Sequence, residues 1–290
     1  MRRNDDSSSS RILETDQMRD NFVHGRLSQA THIRLLSLRC HEAQSQKLPN
    51  QDYARIIYRQ DTTSLCFCVC DGVGSSYKGD FAAHYIATHL VDWLHNLSVL
   101  PPDASKLGSS LQDYLNTLAA PAQSELAQLP LPANIPPLVE EVLTELRTDY
   151  GSETVFLCGR LDYDSDEARS TQSLLRGSGP WVGRAFFGWM GNVSCQLFTT
   201  PEHSIVLGDA TDRDGRWSTL RGCRGPLRIW SRPLSGLDRL LIYTDGFGEP
   251  GSPLFNVGDD EWSEQVRQLF SLPAQDDITA LALHWQSAVQ

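Results

Sequence analysis

The chain has 290 residues, 40% of them hydrophobic, so it is long enough to bury a sizeable core in one large domain or two smaller ones. Its formal net charge of -11 argues against nucleic-acid binding as its main activity, because phosphate contacts require clustered lysine and arginine. No apolar run approaches the roughly 20 residues that span a membrane, and the polar N-terminus lacks the apolar core of a signal peptide.

The N-terminal 30 residues are polar and serine-rich and predict a flexible tail. Residues 31–290 then form one domain, with a helical, proline-containing insert around 100–150. Apolar periodicity predicts strands over 32–39, 55–58 and 65–70 with a turn at 60–63, a helix over 80–97, helices over 110–129 and 138–149, strands over 151–161 and 184–190 separated by a polar loop over 162–180, and a helix over 261–270. Antiparallel strands separated from paired helices favour an α+β fold.

Cysteine usage indicates a reducing compartment. The seven cysteines include no CxxC pair, and Cys66, Cys68 and Cys70 alternate along one predicted strand. Their side chains would share one face of that strand, which suits small buried apolar groups better than zinc ligands. Without a disulfide framework, we expect the protein to be cytoplasmic and soluble.

Aspartates follow or precede three of the apolar runs. Asp71-Gly72 comes directly after the run over 65–70, Asp245-Gly246 follows the run over 239–243, and Asp276 precedes the run over 278–285. Each Asp-Gly pair taken alone is more often a turn. Three aspartates at strand ends, far apart in sequence, suit a site for hard divalent cations, which take oxygen ligands.

The ordered set of motifs resembles the metal-dependent protein phosphatases of the type 2C family, especially its bacterial members. The resemblance covers roughly residues 31 to 286. It rests on Asn50-Gln51-Asp52, then Asp71-Gly-Val-Gly with Gly79-Asp80-Phe-Ala, then Tyr243-Thr-Asp245-Gly246, and then Asp276-Asp-Ile-Thr279. The resemblance implies a four-layer αββα sandwich, in which two antiparallel sheets are flanked by helices and the metal site lies at one end.

The family resemblance also implies the roles of individual residues. Asp71 would bridge two Mn²⁺ or Mg²⁺ ions, the carbonyl of Gly72 would bind the second ion, and Asp245 and Asp276 would complete the first. Asp52 would hold metal-bound water. Two such ions activate a water molecule for attack on phosphate, so the expected reaction is hydrolysis of phosphoserine or phosphothreonine in proteins.

Several positions depart from the family pattern. Lys47 stands where an arginine often binds the substrate phosphate, and a lysine supplies charge without a bidentate fork. Val73 replaces a histidine found in relatives of the animal enzymes, so no general acid is identified. Asn192 replaces an aspartate implicated in a third metal, which makes a third ion doubtful. We interpret Glu153 as an exposed strand residue and Asp277 as a turn residue.

The expected partner is a phosphorylated serine/threonine protein, in opposition to a kinase, and the expected state is a monomer that binds neither nucleic acid nor membrane. Two alternatives remain open from the sequence. One is a catalytically weak regulator that binds phosphoproteins. The other is a phosphatase of the stress or sporulation type, dedicated to one phosphorylated regulator.

Overall fold

The structure, a computed structural model, describes residues 10–27, 31–59, 64–163, 182–200, 203–208, 212–235, 237–247 and 274–285, and most of 261–268. The strands in these ranges are β1 (Ser10–Glu14), β2 (Asn21–Arg26), β3 (Thr31–Leu38), β4 (Tyr53–Arg59), β5 (Ser64–Gly72), β6 (Glu153–Tyr163), β7 (Val182–Met190), β8 (Ser194–Thr200), β9 (His203–Leu207), β10 (Arg216–Ser218), β11 (Gly222–Arg224), β12 (Arg228–Ser235), β13 (Arg239–Tyr243) and β14 (Ile278–Trp285). The α-helices are α1 (His41–Gln46), α2 (Gly79–Asn96), α3 (Ala104–Thr117), α4 (Ala119–Gln128) and α5 (Pro137–Glu145).

The first sheet contains eight of the described strands. Its main order is β1-β4-β5-β6-β10-β11, with β7 paired to β6 and β12 paired to β7, and its pairings are antiparallel. Central strand β5 is buried on both faces, and its cysteines Cys66, Cys68 and Cys70 all face the helical layer. All three are buried and free, so the prediction of small buried side chains is confirmed.

The second sheet has the order β2-β3-β14-β13-β8-β9 among the described residues, again antiparallel. Strand β3 shows why this sheet packs against other layers on both of its faces. Ile33 and Leu35 lie in the core between the sheets, whereas Leu36 and Leu38 pack outward with Trp262. Apolar side chains on the two faces of β3 therefore pack against the first sheet on one side and against the outer helical segment on the other.

Helices cover the outer face of each sheet. Helix α2 buries a stripe against the first sheet that includes Ala83, Ile86, Leu90 and Leu94. On the second sheet, Trp262 and Val266, from a segment whose described residues are helical, close the outer core. The predicted α+β fold, a four-layer αββα sandwich, is confirmed.

The N-terminal segment differs from the prediction. Residues 10–14 and 21–26, which were expected to belong to a flexible tail, form β1 and β2 at the edges of the two sheets. Strand β1 exposes four of its five side chains and β2 exposes three of its six, so their composition resembles that of a tail while their backbones pair with β4 and β3. The prediction of a flexible tail over residues 1–30 is therefore wrong for residues 10–14 and 21–26.

The insert around 100–150 is helical but differs in detail. The single helix predicted over 110–129 is divided at Leu118 into α3 and α4, and α5 begins at Pro137, a favourable first position for proline. A π-helical turn, Leu146–Tyr150, follows α5. No residue of α5 is buried.

Two sequence-based predictions fall outside the described residues, namely the turn at 60–63 and most of the loop over 162–180. Within the described part of the chain, no helix is long and apolar enough to cross a membrane.

Candidate metal centre at one end of the sandwich

Four strand ends meet at one end of the sandwich, which we call the site edge. Strand β4 begins beside the end of β5, and β14 begins beside the end of β13, because both pairs are antiparallel. The motif aspartates flank these ends. They are Asp52 before β4, Asp71 at the end of β5, Asp245 after β13, and Asp276 and Asp277 before β14.

Asp52 joins the two sheets at this edge. It is 1% exposed, and its Oδ2 accepts a hydrogen bond of 2.7 Å from Thr244 Oγ1. Thr244 Oγ1 in turn accepts from the backbone N–H of Thr279 at 2.9 Å. The backbone N–H of Asp52 donates to Asn50 Oδ1 at 2.7 Å, which fixes the loop before β4. The role of Thr244 was not predicted from the sequence, although its place directly before Asp245 is a usable signal.

Asp71 is surrounded by other carboxylates. Burial, followed by the charges of Asp245, Asp276 and Asp277, raises the pKa of Asp71 to about 8, while a hydrogen bond with Asp52 opposes the rise. Burial also raises the pKa of Asp52 well above its usual value, and the charge of Asp71 is the next cause. In the metal-free protein the pair therefore retains a proton at neutral pH.

Asp245 opens a short 3₁₀ turn and is held by a neighbouring amide. Asn192 Nδ2 donates to Asp245 Oδ2 at 2.8 Å. Burial and then the charge of Asp276 raise the pKa of Asp245, whereas the N–H of Gly246 and the positive charge of Arg213 lower it. Asn192 thus presents a donor to Asp245 where the family resemblance implies a carboxylate that would hold a third metal ion.

Asp277 does more than close a turn. It is 6% exposed, and its two oxygens accept from the backbone N–H of Cys40 and of Gln51, each at 2.6 Å. One carboxylate thereby clamps the start of α1 to the loop that carries Asp52. Asp276 beside it is exposed and accepts from the N–H of Asp277 at 2.8 Å.

The glycines after Asp71 allow a tight backbone loop. The N–H of Gly72 donates to the carbonyl of Gln51 at 3.1 Å, and a Cβ atom on Gly72 would lie 2.5 Å from the carbonyl carbon of Gly79. Ser152 secures the far side, because its Oγ donates to the carbonyl of Lys78 at 2.6 Å. Only glycine fits where the loop closes on itself, which accounts for the spacing of the motif.

Lys47 occupies the C-cap of α1 in a left-handed conformation, with φ of 57°. Its backbone N–H bonds to the carbonyls at the end of that helix, and its side chain is exposed. Binding of substrate phosphate by Lys47 remains a prediction. Val73 contributes its backbone to the loop, with its N–H donating to the carbonyl of Glu153 at 3.0 Å.

The interpretation of Glu153 as an exposed strand residue is wrong. Glu153 is 8% exposed, and its carboxylate pairs with Arg224 Nη1 at 2.7 Å and with Arg216 Nε at 3.3 Å. Both arginines lie more than 60 positions further along the chain, on β10 and β11. No local sequence signal links them to Glu153, so the pairing emerges only with the fold.

The donor set of this edge suits a hard divalent cation. It consists of carboxylates, which such ions prefer. Among the described residues, no lysine or arginine forms an ion pair with Asp52, Asp71 or Asp276, so a cation would relieve the repulsion that raises their neighbours' pKa values. Within the same residues, no three His, Cys, Asp or Glu side chains are grouped as a metal ion would require. The centre therefore fits a cation by chemistry and charge, whereas the described side chains do not form a ready ligand shell.

No family model matches the sequence, and no curated protein matches it. Solved structures do resemble it. Serine/threonine phosphatase Stp1 from Staphylococcus aureus shares 12% identity and a TM-score of 0.55 over 91% of this chain and 100% of that chain. RsbX in complex with magnesium shares 14% and 0.53 over 92% and 100%. A bacterial serine phosphatase shares 11% and 0.54 over 89% and 99%.

Structural similarity at identities this low shows the fold but not the activity. The shared fold agrees with the ordered motifs, which independently resemble the type 2C family. The chain thus has the fold of the bacterial serine/threonine phosphatases.

Proposed function

We propose that the protein is a metal-dependent phosphatase that hydrolyses phosphoserine or phosphothreonine in another protein. The observation that carries this proposal is the convergence of five aspartates from both sheets on one edge of a phosphatase fold. Burial and mutual repulsion raise the pKa of Asp71 to about 8 there. Perturbed carboxylates of this kind are typical of functional sites, because their repulsion weakens the fold unless a ligand compensates it.

The proposed cofactors are two Mn²⁺ or Mg²⁺ ions. We assign Asp71, the carbonyl of Gly72, Asp245 and Asp276 as their ligands, with Asp71 shared between both ions. When bound, such ions lower the pKa of water and neutralise phosphoryl oxygens. A third ion is not favoured, because Asn192 directs an N–H donor at Asp245 instead of an oxygen lone pair.

The remaining residues position this set. Asp52 accepts a hydrogen bond from Thr244 and lies beside Asp71, so it links the two sheets next to the carboxylate that the two ions would share. Asp277 fixes the loop that carries Asp52 through the N–H of Gln51. Lys47, exposed at the end of α1, is the proposed source of positive charge for the substrate phosphate.

The similar structures support the class of activity and of ion. Stp1 is a serine/threonine phosphatase, and RsbX was solved in complex with magnesium. We extend both properties to this chain by proposal, together with a monomeric, cytoplasmic protein that opposes a serine/threonine kinase. A single dedicated phosphorylated regulator as substrate is compatible with the same site.

A second candidate is a phosphoprotein-binding regulator with weak catalysis. The observation in its favour is the hydrogen bond from Asn192 to Asp245, which occupies a carboxylate oxygen that a metal ion would need. The retention of Asp71, Asp245 and Asp276 at one edge favours the enzyme.

The deciding experiment measures phosphate release from a phosphothreonine peptide by metal-stripped protein, with manganese, with magnesium and with excess chelator. We expect turnover with either ion and none in chelator. Asp71→Asn should lower turnover by orders of magnitude, whereas Asp113→Asn, a change of an exposed carboxylate on α3, should not. Peptide binding without turnover under every condition would favour the regulator instead.

A further inference from the structure

Positive charge is concentrated beside the site edge of this acidic chain. Residues 212–228 contain five arginines and two aspartates, although the whole chain carries a formal charge of -11. Arg228 pairs with Asp212 at 2.9 Å, which leaves four arginines to consider. We call these four the arginine surface. They are Arg213, Arg216, Arg221 and Arg224.

The sheet register places this surface in line with Asp71. Asp71 pairs with Val155 on β6, the register of β10 on β6 continues the row to Arg216, and Arg216 pairs with Arg224 on β11. Residues opposite one another on antiparallel strands project from the same face. Two strand spacings separate Asp71 from Arg216, which is a backbone distance of about 10 Å.

Glu153 holds the two inner arginines in place. Its carboxylate binds Arg224 at 2.7 Å and Arg216 at 3.3 Å, while their side chains remain 37% and 33% exposed. One carboxylate neutralises one of two guanidinium charges. The group is therefore a fixed, partly exposed positive site and not a closed internal ion pair.

Arg221 and Arg213 extend the arginine surface toward the aspartates of the site edge. Arg221 is exposed in the turn between β10 and β11, whose Thr219 accepts a hydrogen bond from the N–H of Ser152 at 3.0 Å, so this turn lies at the site edge. Arg213 is also exposed. Its positive charge lies within electrostatic range of Asp245.

We propose that the arginine surface docks acidic residues of the substrate polypeptide, two or three positions away from the phosphorylated residue. An extended peptide advances about 3.4 Å per residue, so a phosphorylated residue at Asp71 brings its third neighbour to Arg216. The identity of the docked chain as substrate rests on the proposed function. The affinity of the surface for acidic side chains does not.

The test compares labelled, unphosphorylated serine peptides whose residues at the second and third positions on either side are acidic, alanine or lysine. Fluorescence anisotropy with manganese present measures their affinity. Two or more exposed ion pairs should make the acidic peptide bind about fivefold tighter than the alanine peptide, with an advantage that salt removes. The lysine peptide should bind weakest.

The variant Arg213→Gln/Arg221→Gln should lower the ratio of acidic to alanine affinity, although Arg216 and Arg224 remain in place. The matched control, Arg26→Gln/Arg232→Gln, changes two exposed arginines away from the site edge and should keep the wild-type ratio. Equal affinities in the wild type, or a ratio that survives in the first variant, would overturn the docking proposal.

Hydrolysis of p-nitrophenyl phosphate, which has no flanking residues, is measured alongside. Its absence would reject the proposed function without altering the anisotropy ratio. Its presence together with equal peptide affinities would reject docking and keep the phosphatase.

Discussion

Asp71→Asn should stabilise the metal-free protein, although it removes the central residue of the proposed site. The pKa of Asp71 rises from 3.8 to about 8, first through burial and then through the charges of Asp245, Asp276 and Asp277. Since one pKa unit corresponds to about 1.4 kcal/mol, ionised Asp71 costs the folded state up to ~6 kcal/mol. Asparagine keeps the shape of the side chain and carries no charge.

The sign depends on pH in a defined window. Below pH 3.8 the carboxyl is protonated in both the folded and the unfolded state, so its charge costs nothing. As pH rises from there to about 8, the unfolded chain releases the proton while the folded chain keeps it, and the wild type loses stability. Above about 8 the loss is complete. The advantage of Asp71→Asn should therefore grow across this window.

Urea unfolding in chelator, followed by tryptophan fluorescence, measures this advantage. Between pH 5 and pH 9 it should grow by about 2 kcal/mol, below the limit of ~4 kcal/mol, because neighbouring carboxylates share the relief. With manganese the sign should reverse, since ions that bind only the folded wild type stabilise it. Asp113→Asn serves as the exposed control. Equal pH dependence of wild type and Asp71→Asn in chelator would mean that the folded protein does not raise the pKa of Asp71.

Two further predictions concern the loops that support the site. In a thermal unfolding assay, Gly72→Ala should destabilise the protein by about 3 kcal/mol, because the new methyl would lie 2.5 Å from the backbone of Gly79. In the same assay Gly74→Ala should cost less than about 1 kcal/mol, because its methyl would meet only a side-chain atom, at 3.3 Å. Thr244→Val should cost about 2 kcal/mol by leaving a buried oxygen of Asp52 without its donor, and Thr244→Ser should restore most of it. Equal melting temperatures within either pair would contradict the corresponding argument.

Much of the site was predictable because its geometry follows from local rules. An apolar run that ends in Asp-Gly places a carboxylate at the end of a buried strand, and antiparallel pairing then brings several such ends together. Asp71, Asp245 and Asp276 were found in this way, and the structure brings all three into electrostatic range of one another. Their service as metal ligands remains a prediction.

The rest depended on long-range pairing that no local pattern encodes. Glu153 looked like an exposed strand residue until β10 and β11 supplied Arg216 and Arg224. Asp277 looked like a turn residue because its partners are backbone N–H groups more than 200 positions away. Strands β1 and β2 were missed because edge strands with exposed side chains lack an apolar face.

Calorimetric titration of metal-stripped protein with manganese measures whether the acidic cluster at the site edge binds divalent cations. We expect two ions to bind per chain, with release of protons at neutral pH from the carboxyl groups whose pKa is raised, and we expect Asp71→Asn to lose that binding. Absence of manganese binding to the wild type, or identical isotherms for wild type and Asp71→Asn, would contradict this expectation.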